Sequence, residues 1–196
     1  MTMTKHHETK PTGAGKSSFE LIDSAKFFRE LKLKKGITFL DVACGWGRYA
    51  LAVSEIIGRN GLVYAVDLWE EGVSSLKKEA ALKDIQNITS FVSDASQSIP
   101  VENQSVDVCL MATVLHDFVG DQVDRGVMQE IVRVIKPEGT LAIVEYKKID
   151  SPTGPPQSIR LSPEEVDQIV SAYGFKQERF TEVGTHNYLQ IFIKKE

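Results

Sequence analysis

The sequence predicts an α/β fold, a doubly wound and mostly parallel sheet covered by helices on both faces. Three observations predict it. Strand-like and helix-like patterns alternate about five times along the 196 residues. The strand-like runs are apolar without strict alternation, as strands buried on both faces are. The chain then closes on two alternating segments near enough to pair antiparallel.

Each element has its own signal. "DSAKFFREL" offers Asp23 or Ser24 as N-cap ahead of Phe27, Phe28 and Leu31 at helical spacing. "GITFLDVA" is a first buried strand. "GRYALAVSEIIG" is a helix stopped by Gly58. "GLVYAVD" is a second strand, and "WEEGVSSLKKEAALKD" an amphipathic helix with Val73, Leu76, Ala80 and Leu82 turned inward. "NITSFVSD" and "SVDVCLMAT" are the third and fourth strands. "DQVDRGVMQEIVRVI" is a helix carrying Val123, Val127, Ile131 and Val134, closed by a turn at residues 136–139. "GTLAIVEYK" is a fifth strand and "SPTGPP" a loop. "SPEEVDQIVSAYG" starts a helix with Ser162 at N-cap and Pro163 at N1. "FKQERFTEVG" and "HNYLQIFIKK" complete seven strands.

Composition narrows the partners. The chain is 42% apolar and 26% charged, with a net charge of −4, which offers no general attraction to phosphate backbones. Nucleic acid is therefore not an expected partner. Two cysteines, Cys44 and Cys109, suggest neither a disulfide scaffold nor a metal site. No run approaches the length of a membrane span, and the polar N-terminus lacks a signal-peptide core. A soluble, cytoplasmic domain is expected, with His6-His7 too short to indicate a metal site.

One string suggests phosphate binding and fails its own test. "TGAGKSS" (12–18) ends like a phosphate-cradling loop, but the position five before Gly15 is Lys10, and no apolar strand precedes it. It reads as a flexible N-terminal arm, or as a lid over a site made elsewhere.

The informative turn is "DVACGWGRYA", between the first strand and the helix after it. In such sheets ligands sit beyond the strands' carboxyl ends at the switch point. Gly45 and Gly47 let backbone approach a ligand, with free helix amides behind them. Asp67 follows twenty residues after Gly47, at the tip of the second strand, where a carboxylate can accept both hydroxyls of a ribose. "GWGRYA" also satisfies G-x-G-x-x-A, so a nicotinamide cofactor stays open. Against it stands Asp41, an anion that would repel a pyrophosphate and attract an ammonium.

These residues resemble the class I S-adenosylmethionine-dependent methyltransferases. The likeness covers about residues 36–196 and rests on "FLDVACGWG", "VYAVDLW", "FVSDASQSIP", "SVDVCLMATVLHDF" and "RVIKPEGTLAIVE" in that order. Ala43 departs from it, standing where many members carry the loop's first glycine. The resemblance implies a Rossmann-like, seven-stranded sheet with a C-terminal antiparallel strand. It also implies a division into an arm or lid (1–22) and a methyltransferase domain (23–196). S-adenosyl-L-methionine would be the cofactor: Asp41, Ala43, Gly45 and Gly47 around its methionine part, Asp67 on the ribose, Leu68 along the adenine. Asp94 and Ala95 would lie at the adenine amino group, and Ala112 and Thr113 would face the sulfonium. Asp94 as a plain turn cap is the competing reading, and Trp46 is equally a core residue or a wall of the site.

Methyl transfer requires alignment and exclusion of water more than an elaborate catalytic cluster. His116, in the loop just past the fourth strand, is the candidate base for an acidic acceptor. Tyr146, with Glu145, points to the rim as a further candidate contact. The strand-four motif of relatives that methylate amino groups of bases or glutamine is absent, and "ATVLHD" stands in its place. A small-molecule acceptor is expected, of the kind handled by relatives that methylate quinones, phenols or thiols. No metal is expected, and the chain is expected as a monomer or homodimer. Two readings outside the class stay open: a non-catalytic cofactor-binding module and an NAD(P)-dependent oxidoreductase.

Overall fold

The computed structural model describes residue 13 and residues 15–195. Most of the proposed arm, with His6-His7, lies outside the described residues. Seven strands form one sheet: β1 (Thr38–Val42), β2 (Leu62–Asp67), β3 (Ile88–Val92), β4 (Val106–Ala112), β5 (Ile135–Tyr146), β6 (Phe175–Glu182) and β7 (Asn187–Lys194). Their order is β3-β2-β1-β4-β5-β7-β6. Only β7 runs antiparallel to its neighbours. The chain winds outward from β1 in one direction and from β4 in the other, so the switch point lies between the tips of β1 and β4.

Two apolar layers sandwich the sheet, and the strands feed both. Leu40 and Val42 face one layer and Phe39 the other; Cys109 and Met111 face the first and Val108 and Leu110 the second. The first layer is closed by α5 (Asp124–Val134) and α6 (Pro163–Ser171), and the second by α1 (Ser24–Leu31), α2 (Arg48–Ile57) and α3 (Glu70–Leu82). Helix starts follow the expected chemistry. Asp23 accepts from Lys26 N at 2.9 Å, and Ser162 with Glu165 makes a capping box behind Pro163.

Three local expectations need correction. Leu82 is 87% exposed, because it stands two residues past the buried Ala80 and so on the opposite face of the helix. Residues 136–139 do not separate α5 from β5: the strand starts at Ile135 and these four residues bulge from it. The partner of β4 accordingly jumps from Ile135 to Thr140. The segment after β4, taken as loop, forms α4 (Leu115–Gly120), a six-residue helix with no side-chain N-cap.

Candidate functional site

The turn after β1 is built from left-handed backbone. Ala43, Gly45 and Gly47 have φ of 57°, 53° and 73°. The glycines adopt this readily, while Ala43 carries a Cβ into a conformation that disfavours one. A Cβ on Gly47 would run into the Leu76 side chain, whereas one on Gly45 would meet nothing within 4 Å. Gly47 thus lets α3 pack close, and Gly45 faces open space. Gly72 contributes from the other side, its missing side chain admitting the Gly45 carbonyl, which a Cβ would meet at 2.7 Å. Nothing in the sequence pattern singled out Gly72, which looks like an ordinary helical residue.

Asp41 is 2% exposed, and its Oδ2 has no hydrogen-bond partner among the described residues. Burial pushes its carboxyl up to about 8; the backbone N–H of Ala50 offsets part of this, and the charge of Asp67 adds to it. A buried, unpaired carboxylate oxygen beside a glycine turn is a receptor for a cation. Cys44 beside it is half-buried. Its thiol is raised well above 9.0 by burial and then by Asp41 and Asp67, so it is no nucleophile. It forms no disulfide with buried Cys109.

Asp67 braces the loop. Its Oδ2 accepts from Gly45 N and its Oδ1 from Trp69 N, each at 2.7 Å. The backbone N–H of Leu68 also faces this carboxylate, and the lone-pair capacity that remains can accept from a ligand hydroxyl. Leu68 beside it is 58% exposed, a large apolar surface at the mouth of the crevice. Asp94 does cap its turn: Oδ1 accepts from Ser96 N at 2.9 Å and from Ser96 Oγ at 2.7 Å. Ala95 is 8% exposed and packs into the first layer. Ala112 and Thr113 end β4 half-buried, and Thr113 has φ of 55°, a strained value for a β-branched residue.

The described part of the arm is packed across this site. Gly15 O accepts from Trp46 Nε1 at 3.1 Å, and Trp46 meets Trp69 edge-on at 4.4 Å, so Trp46 stands between the arm and Trp69. Ser18 is 1% exposed; it bonds Tyr49 Oη at 2.9 Å and accepts from Thr113 Oγ1 at 3.3 Å. Phe19 packs edge-on against Tyr49. Ser18 and Tyr49, absent from the sequence-derived set, tie the arm to the tip of β4.

His116 opens into the second half of the site. It is 5% exposed at the start of α4. Its Nδ1 lies 2.8 and 3.0 Å from the two oxygens of Glu145, and its Nε2 lies 3.6 Å from Asp117 Oδ1. Burial alone would lower its pKa. The hydrogen bond and charge of Glu145, with Asp117, outweigh burial and the opposing charge of Arg160, raising it above 6.5. Glu145 is fully buried, so it backs His116 and does not reach the rim as expected. Tyr146 is 8% exposed and lies edge-on to His116 at 6.2 Å. Burial first, then Glu145, keeps it a phenol, against the charge of Arg160.

Arg160 sits behind Tyr146, 1% exposed, its guanidinium carbon 5.8 Å from the ring centre. All five of its N–H groups donate to carbonyls of residues 147, 149, 151, 153 and 155. The loop after β5 is thereby wound around one buried cation. His186 meets Ser151 Oγ at 3.2 Å in the same loop.

The family described as the methyltransferase domain matches residues 40–143. A crystal structure of a SAM-dependent methyltransferase from Aquifex aeolicus superposes with a TM-score of 0.82 at 32% identity, covering 90% of this chain and 92% of that one. A demethylmenaquinone methyltransferase of Lactobacillus johnsonii is 30% identical over 131 residues, 66% of this chain and 51% of that protein. A 2-phytyl-1,4-naphtoquinone methyltransferase of Trichormus variabilis is 30% identical over 115 residues, 59% of this chain and 49% of its own. The chain belongs to the class I S-adenosylmethionine-dependent methyltransferase family. It spans about half the length of the curated relatives it matches.

Proposed function

We propose that this chain transfers a methyl group from S-adenosylmethionine to a small quinol- or phenol-type acceptor. The observation that carries it is the unpaired, buried Oδ2 of Asp41 beside the open space at Gly45. That oxygen suits the ammonium of the cofactor's methionine part, and a pyrophosphate would find an anion there. Asp67 would hold the ribose hydroxyls through its free lone pairs, Leu68 the adenine face, and Asp94 the adenine amino group. S-adenosylmethionine, when bound, supplies an electrophilic methyl group. His116 takes a proton from the acceptor's hydroxyl at Nε2, because Nδ1 is committed to Glu145. The arm, anchored at Trp46, Tyr49 and Thr113, covers the crevice as a lid and keeps water out.

Among the described residues no helix is long and apolar enough to cross a membrane. We read the protein as cytoplasmic and as a monomer or homodimer. The net charge of −4 supports a small-molecule partner over nucleic acid. The acceptor class rests on the quinone named for the relatives and on the base at the tip of β4. The test is incubation with cofactor and reduced naphthoquinols, simple phenols, thiols and amines, reading S-adenosylhomocysteine and methylated product by mass spectrometry. Product from quinols and phenols, rising with pH as His116 loses its proton, supports the proposal. Cofactor binding with no turnover on any acceptor makes the chain a binding module instead.

A further inference from the structure

We propose that Glu145 is the positioning residue of the site: it fixes the proton of His116 on Nδ1 and so leaves the Nε2 lone pair for the acceptor. The inference rests on His116 being the base. The geometry of the carboxylate is the argument. Oε1 accepts from His116 N at 3.1 Å and faces Nδ1 at 3.0 Å; Oε2 faces Nδ1 at 2.8 Å and accepts from Tyr146 N at 3.1 Å. The two backbone groups can only donate, so both oxygens are held as acceptors and the carboxylate cannot swing. Facing two acceptors, Nδ1 must carry the hydrogen. In neutral imidazole the other nitrogen then has the lone pair.

The charges around the ring agree. Glu145 comes from β5 and Asp117 from α4, and both favour the imidazolium. Arg160, on the far side of Tyr146, opposes it by charge alone, because its N–H groups are spent on carbonyls. Lys16 of the arm acts on Asp117. Tyr146 stays neutral beside the ring. When protonated, His116 is thus the ion-pair partner of the fully buried Glu145. In the step itself the acceptor's O–H bond breaks and an N–H bond forms at Nε2. The electron pair stays on the acceptor, and the imidazolium so formed sits on an existing negative charge.

Glutamine is the informative substitution. Its amide nitrogen replaces one oxygen and puts a donor where a backbone N–H group and Nδ1–H already point, so Glu145→Gln must shift the ring or move its proton to Nε2. Full-length wild type, Glu145→Gln, Glu145→Asp and His116→Ala are compared by pH–rate profile and by nitrogen NMR of the His116 ring. Expected are a wild-type ring with hydrogen on Nδ1 at high pH and a fall of about a hundredfold or more in kcat for Glu145→Gln, with cofactor KM unchanged. The acidic limb of its profile should move to lower pH by about one unit. Glu145→Asp should keep the wild-type tautomer and recover part of kcat. Full activity in His116→Ala would overturn the base itself. A dead His116→Ala beside a Glu145→Gln with wild-type kcat, profile and tautomer would overturn the role of Glu145 alone. If Glu145→Gln does not fold, the wild-type tautomer decides, and hydrogen on Nε2 refutes the proposal.

Discussion

Asp41→Asn is the substitution that separates binding from stability most cleanly. The carboxyl is 2% exposed and pushed up to about 8 by burial. At pH 7 a group with that value is only about one-tenth ionised, a penalty of about 1 kcal/mol for any ligand that needs the anion. Cofactor binding should therefore release about 0.9 proton per mole at pH 7, and affinity should rise up to about tenfold per pH unit between 6 and 7.5. Asparagine is nearly isosteric and cannot ionise. The variant should show no proton release from this group and no slope, and should bind about ten- to a hundredfold more weakly at pH 8, the worth of one charge-assisted bond.

Stability without cofactor moves the other way. The folded value lies above the ordinary 3.8, so the favourable contribution is complete below about pH 4 and is lost as pH rises through 8. The ligand-free variant should then be more stable than wild type at pH 8.5, by on the order of several kcal/mol, with the gap closing toward pH 5. Calorimetric titration in two buffers of different protonation enthalpy, with thermal melts across pH, measures both. Wild-type binding without proton release, or an unchanged slope in the asparagine variant, would refute the placement of a cation on Asp41.

Other substitutions probe the frame. Gly72→Ala puts a methyl 2.7 Å from the Gly45 carbonyl, so cofactor affinity should fall and unfolding free energy drop by about 1–3 kcal/mol in urea titrations. Ala43→Gly relieves a φ of 57° and should stabilise by up to about 1 kcal/mol by the same assay. Arg160→Lys offers three donors to five carbonyls. It should cost about 2–4 kcal/mol and raise hydrogen exchange in residues 147–155. If the arm is a lid, cofactor should slow proteolytic cleavage within residues 12–19, and unchanged cleavage would end that assignment.

The sheet was legible because its signals are local: apolar runs such as "GLVYAVD" and caps such as Asp23 and Ser162 act over a few residues. Asp41, Asp67 and His116 were legible because strand ends in this architecture converge on one edge. What escaped depends on partners distant in sequence. Glu145 sits 29 positions from His116, and only the pairing of β4 with β5 brings them together. Gly72 and Ser18 matter through contacts with Gly45 and Tyr49 that no periodicity encodes. Helix α4 is too short to show a period, and the bulge at residues 136–139 looks in one dimension like any Pro-Gly turn.

The clasp on Arg160 has a consequence for how this protein can change. A loop held by its carbonyls asks little of its side chains, since every residue, proline included, offers the same oxygen. Apart from Gly154, where a Cβ would run into the Tyr146 ring, residues 147–155 can therefore drift in size and polarity while the backbone path behind Tyr146 keeps its shape. New acceptors could be accommodated by exchanging what the loop displays, with no redesign of what holds it.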